Sequence, residues 1–253
     1  MTPPAIELEG VGKRLGGRDI LQEVALTVAP GERIALAGEN GAGKTTLIKC
    51  LLDLSPPDRG RVRLFGADPA APGGRRGVAY LPERFSPAAA LVGEAQLAYV
   101  LGLRGEAYVP DAARALCREL GLGGALESVP LGRYSQGMRQ LIGLAGALLG
   151  EARLLILDEP MNGLDPGARL RVKRILTRLS GEGRTLFFST HLLADVDELA
   201  DRMVILHGGR VRYCGSPEAC RARFPAPTLE GSFLRAIDGG ADSFGNSPAG
   251  EDA

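Results

Sequence analysis

With only two histidines, His191 and His207, the chain has little to offer a histidine-based metal site. Its four cysteines, Cys50, Cys117, Cys214 and Cys220, are scattered and form no Cys-x-x-Cys pair. They read as inert thiols of a reduced compartment, not as a disulfide framework. Net charge is lacking too: 30 basic residues balance 30 acidic ones, so bulk electrostatic binding to nucleic acid has no support. Met1-Thr2-Pro3-Pro4 has no basic segment followed by an apolar run, and no secretory signal is expected. The longest apolar run, near Leu141–Leu149, falls far short of the roughly 20 residues a membrane span needs. No internal repeat is visible. Glycine, by contrast, is plentiful: 36 of 253 residues, about double the usual share. A hydrophobic content of 45% suits one large or two modest domains with a real core.

Within that glycine lies a pattern. Gly38-Glu39-Asn40-Gly41-Ala42-Gly43-Lys44-Thr45-Thr46 fits the phosphate-loop motif G-x-x-x-x-G-K-[ST] at every fixed position. Arg33–Ala37 before it reads as a buried strand; Leu47, Ile48, Leu51 and Leu52 after it recur at helical spacing. Such a loop lets backbone N–H groups curl around phosphate oxygens at a helix N-terminus. Lys44 can then reach the β- and γ-phosphates, and the Thr45 hydroxyl can ligate Mg²⁺.

Elsewhere the chain alternates strands with helices. Strands are expected at Ile6–Leu8, Ile20–Val28, Arg61–Phe65, Gly77–Leu81, Leu154–Leu157, Thr185–Phe188, Met203–Leu206 and Val211–Tyr213. Gly12–Gly17 and 68–76 read as loops, the latter with Arg75-Arg76 in solvent. From about Ser86 to Arg133 strand signals stop, and helical spacing takes over in a lobe that runs on to about 150. Leu141, Leu144, Ala145 and Leu148 form one apolar helix face, while Arg139 and Gln140 read as polar residues of the helix surface. Helices are expected at Pro166–Leu179 and Leu192–Ala200. The class is α/β: a P-loop NTPase core with a mostly parallel sheet, an antiparallel β subdomain and a helical insertion lobe. One domain would occupy 1–237, with Thr228 capping a last helix, and 238–253 would be a disordered tail.

Four later segments narrow the chemistry. The apolar strand Leu154–Leu157 ends in Asp158-Glu159: the first can hold the Mg²⁺ shell, the second can polarise a water. Tyr134-Ser135-Gln136-Gly137-Met138 opens a helix, where Ser135 offers a hydroxyl to an anion but reads equally as an ordinary N-cap. Asn162-Gly163-Leu164-Asp165 and Ser189-Thr190-His191 complete the set. In this order, across about residues 5–215, they resemble the nucleotide-binding subunit of ABC (ATP-binding cassette) transporters. Tyr134–Met138 is similar to the family's signature, Leu154–Glu159 to its second nucleotide motif, Asn162–Asp165 to its D-loop and His191 to its switch histidine.

The resemblance implies a Mg²⁺-dependent ATPase at the cytoplasmic face of the inner membrane, working peripherally on a polytopic permease, with no nucleic acid involved. Two such subunits, here identical chains, would pair head to tail. Ser135, Gln136, Gly137 and Met138 would then meet the partner's nucleotide, and Asp165 would lie in the D-loop. Glu159 would be the general base and His191 the γ-phosphate sensor. Glu83, after Leu81-Pro82, stands where the family often has glutamine; it can approach Mg²⁺ and water, or be a solvated turn acid. The aromatic that usually stacks on adenine falls near Leu15. Tyr-Ser-x-Gly-Met is similar to ABC-2-type exporters, and with the following Arg-Gln to the ATPase of the nitrous oxide reductase copper-maturation transporter. The competing reading is a soluble ABC-type ATPase not coupled to transport, which would need a long coiled coil or two cassettes in one chain.

Overall fold

Strands without alternation organise the molecule. The computed structural model describes residues 2–239. Its central sheet has six strands in the order β5 (Val78–Leu81), β6 (Leu154–Leu157), β7 (Thr185–Thr190), β3 (Arg33–Ala37), β8 (Arg202–His207) and β9 (Arg210–Gly215). The first five are parallel, and β9 returns antiparallel on β8. Every residue of β6 and β7 is buried, because both faces of the sheet are covered. Leu155, Leu157, Leu186 and Phe188 face one apolar cluster, while Leu154, Ile156 and Phe187 face the other.

The second cluster is closed by α1 (Lys44–Leu51) and by a three-stranded antiparallel sheet. That sheet has the order β2 (Arg18–Val28), β1 (Ile6–Leu15), β4 (Arg59–Leu64). The first cluster is closed by α2 (Gly93–Leu103), α3 (Pro110–Leu120), α4 (Gln136–Leu148), α5 (Pro166–Gly181), α6 (Leu193–Leu199) and α8 (Leu229–Asp238). α2 and α3 come between β5 and α4, and α4 leads back to β6, so the lobe is an elaboration of one parallel crossover.

Three departures have physical causes. The glycine run from Gly12 is not a loop: β1 continues to Leu15, held by pairing with β2 through register shifts, with the turn at Gly16-Gly17. Lys13 Nζ and the Arg14 N–H both donate to Asp58, which fixes this extension and delivers Leu15 to its tip. Arg75 and Arg76 are exposed in the loop as expected, but Arg75 is also tethered: its Nη1 donates to the carbonyl of Leu52, just past α1. The short helix α7 (Pro217–Arg223) was unforeseen, although Ser216-Pro217 announces it; Ser216 Oγ accepts from Ala219 N–H. Of the tail, Asp238 ends α8, and 240–253 lie outside the described residues.

Candidate nucleotide site

Register brings the site together. Ala37, the last residue of β3, stands opposite Thr190 of β7, so the loop at Gly38 begins beside His191. Leu157 of β6 stands opposite Phe188, which sets Asp158 and Glu159 beside Ser189 and Thr190. All these residues lie at carboxyl ends of adjacent parallel strands, where open α/β sheets bind ligands.

A cleft of about 520 Å³ opens there, within the size range of small-molecule sites. One wall is the glycine loop: Glu39, Asn40, Gly41, Gly43, Lys44, Thr45 and Thr46. Gly43 has φ 106 and a built Cβ would meet Ile20 O at 3.0 Å, so the loop closes onto β2 only with glycine at this point. Lys44 Nζ donates to the carbonyl of Gly38 at 2.7 Å. The facing wall carries Glu83, Glu159, Asn162 and His191. The apolar end is Leu15 with Ile20, an aliphatic pair that sequence reading anticipated only at Leu15.

Glu159 stands between opposite partners. Its Oε1 is 3.6 Å from Lys44 Nζ and its Oε2 is 2.9 Å from His191 Nδ1. Its backbone is left-handed, φ 49, as the chain turns off β6. Ser189 Oγ accepts from the Glu159 N–H at 2.8 Å and donates to Asp158 Oδ1 at 2.5 Å. Asp158 is fully buried and its other oxygen, Oδ2, has no hydrogen-bond partner. A buried carboxylate oxygen left open in this way suits the shell of a cation. Among the described residues no group of three or more His, Cys, Asp or Glu could hold a metal unaided. A cation here would lean on Thr45, on Asp158 and Glu83, and on the oxygens of a bound phosphate, the arrangement Mg²⁺ favours. Tyr80, on β5, has its phenol pushed up to about 12 by burial and then by the charges of Asp158 and Glu83, which places both acids near this neutral ring.

A family model described as ABC transporter matches residues 21–162. The chain belongs to this family. It is similar to the Nod factor export ATP-binding protein I of Rhizobium leguminosarum bv. viciae, 32% identical over 87% of this chain and 71% of that one. It is similar to an Fe(3+) ions import ATP-binding protein of Streptomyces coelicolor, 35% identical over 92% of this chain and 68% of that one. An ABC transporter ATP-binding protein of Synechocystis sp. is 37% identical over 78% of this chain, which spans 56% of that protein's length. A solved ATP binding subunit of an ABC transporter superposes with a TM-score of 0.84 at 31% identity, covering 92% of this chain and 99% of that one.

As an ABC ATP-binding subunit, the chain displays its remaining motif residues away from its own cleft. Ser135 is the N-cap of α4, its Oγ accepting from Met138 N–H at 3.2 Å, which leaves the hydroxyl proton free to donate elsewhere. Gln136 is exposed beside it, Gly137 is half-buried and Met138 packs against the lobe core. Asp165 caps α5 by accepting from Ala168 N–H. Gly38, Ala42 and Asp158 support the cleft from behind and do not line it.

Two features escaped sequence reading. Gln140 is no surface residue: it is 7% exposed and donates to the carbonyls of Glu159 and Pro160. Asp195 on α6 is buried between Arg169 and Lys173 of α5, at 2.7 and 2.9 Å, and so ties the helix after Asp165 to the helix after His191. Burial works against the Lys173 ammonium, but the carboxylates of Glu198 and Asp195 outweigh it and leave its pKa raised. The spacing of Arg169 and Lys173, i and i+4 on one helix face, was the available signal.

Proposed function

We propose that the chain hydrolyses ATP as one of two head-to-tail subunits and drives export through a separate membrane-spanning partner. The observation that carries this reading is the position of the Glu159 carboxylate, between Lys44 and His191 and across the cleft from the glycine loop. Glu159 accepts the proton of the attacking water as that water meets the γ-phosphate. His191 orients the Glu159 carboxylate from Nδ1 and contacts the γ-phosphate as the site closes. Lys44 exchanges its carbonyl and carboxylate partners for the β- and γ-phosphate oxygens. Thr45, Asp158 and Glu83 would hold Mg²⁺, which would supply neutralisation of phosphate charge. Ser135, Gln136, Gly137 and Met138 of one chain, with Asp165, cover the nucleotide of its partner.

No described helix is long and apolar enough to cross a membrane; in this reading the membrane-spanning partner is a separate chain, with this one held at its cytoplasmic face. Export is favoured by the Tyr134–Met138 wording; the relatives include both an exporter and an importer. The test is Glu159→Gln with ATP and Mg²⁺ on a sizing column. We expect an ATP-dependent dimer and turnover reduced about 10²–10⁴-fold; a variant that stays monomeric contradicts the head-to-tail pair. Purifying the chain from detergent-extracted native membranes tests the transport half: a stoichiometric polytopic partner supports it, and soluble partners alone contradict it.

A further inference from the structure

Helix α4 sends one amide into the interior. Gln140 Nε2 donates to Glu159 O at 3.3 Å and to Pro160 O at 3.1 Å. Those carbonyls belong to the turn where the backbone leaves β6 with Glu159 at φ 49. A non-glycine residue in that conformation persists only where its surroundings hold it there. Ser189 of β7 accepts from its N–H, and its carbonyl accepts both from Asn162 N–H within the turn, at 3.1 Å, and from Gln140 of α4, the one donor that ties it to another element. One turn earlier, at i−4 and i−3, Gln136 and Gly137 lie along the same segment. A Cβ on Gly137 would stand 3.2 Å from Gly163 O, and one on Gly163 would stand 3.4 Å from Gln136 Nε2. One face of α4 is thus laid along 159–163.

We infer that Gln140 is a positioning residue for Glu159. It fixes the peptide plane of the strained residue, and with it the direction of the carboxylate toward the attacking water. The inference rests on the reading of Glu159 as the base. Two carbonyl acceptors call for a group with two N–H bonds, which glutamine supplies and no apolar residue of its size does. Because the amide meets the backbone of Glu159 and not the glycine loop, its loss alters aim and leaves binding by the loop intact. Small errors of aim are costly in turnover.

Gln140→Met keeps the volume and removes both donors. In the full chain with ATP and Mg²⁺, we expect kcat per ATP-binding chain to fall about ten-fold, with KM and ATP affinity unchanged within about two-fold. Normalising to chains that bind ATP removes any loss through unfolding. An unchanged kcat per binding chain overturns the inference, as does a KM that rises in step with the fall in kcat. Should the methionine variant not fold, Gln140→Asn keeps the amide but shortens its reach, and the same split is expected, the same absence of it overturning the inference. Glu159→Gln run alongside separates the two levels. If that variant turns over at near the parental rate, the base assignment fails and takes this inference with it; if its turnover falls by the expected roughly 10²–10⁴-fold while Gln140→Met runs at the parental rate, this inference alone fails.

Discussion

The two ends of the parallel sheet are built on opposite terms. At the carboxyl end the loop after β3, Asp158-Glu159 after β6 and His191 after β7 converge on one cleft. At the amino end, arginines stand at or beside the starts of the strands. Arg33 pairs with Asp201, and Arg202 with Glu32. Arg184 donates to the carbonyls of Leu148 and Gly150, and Arg153 lies 4.2 Å over the Phe65 ring. Parallel connections explain the contrast. A crossover helix runs against its strands, so helix C-termini gather with strand starts and helix N-termini with strand ends. The negative helix ends meet guanidinium groups: Arg184 below α4 and Arg75 below α1. The positive end of α1 is left for an anion. At the arginine end each of these guanidiniums meets a carboxylate, a carbonyl or a ring inside the chain, whereas at the other an aspartate oxygen has no partner and the N-terminus of α1 has no side-chain cap.

That contrast can be broken from either end. Lys44→Ala removes the loop's cation, and we expect ATP affinity to fall at least about 100-fold in an equilibrium titration, since a charge-assisted phosphate contact is among the strongest available. Unchanged affinity would show that the loop does not cradle phosphate. Arg184→Met at the opposite end is expected to cost about 2 kcal/mol in a urea titration, for two charged hydrogen bonds to carbonyls, while kcat per ATP-binding chain stays at the parental value. A fall in kcat there would mean that the two ends are not separable. Leu15→Tyr should have the smallest effect. An aliphatic platform of Leu15 and Ile20 offers a base no ring to stack on, so GTP should compete well with ATP in the parent. The tyrosine should tighten ATP by about five-fold, the value of one stacking contact. A strong preference for ATP in the parent would show that another group reads the base.

What sequence revealed follows from how far apart the cooperating residues lie. The glycine loop is legible because its pattern is local: glycines, lysine and threonine fall within nine consecutive residues. β6 is legible because a strand buried on both faces cannot hide its apolar run. Gln140 was misread for the opposite reason. Its partners are two carbonyls about twenty positions away, and helical periodicity assigns it a face without saying what that face meets. The Asp195 cluster has the same character, joining α5 and α6 across a strand. The extension of β1 to Leu15 was hidden by glycine, whose turn propensity was outvoted by pairing with β2.

The left-handed turn at Glu159 also bears on how such a chain can be improved. An L-residue held in that region carries roughly 1–2 kcal/mol of strain that glycine would not. Selection for heat tolerance alone therefore pulls this position toward glycine, and with it toward a chain that has lost its carboxylate. With Glu159 as the proposed base, robustness and turnover have different optima at one residue, and a library screened only for survival at high temperature is expected to enrich inert proteins.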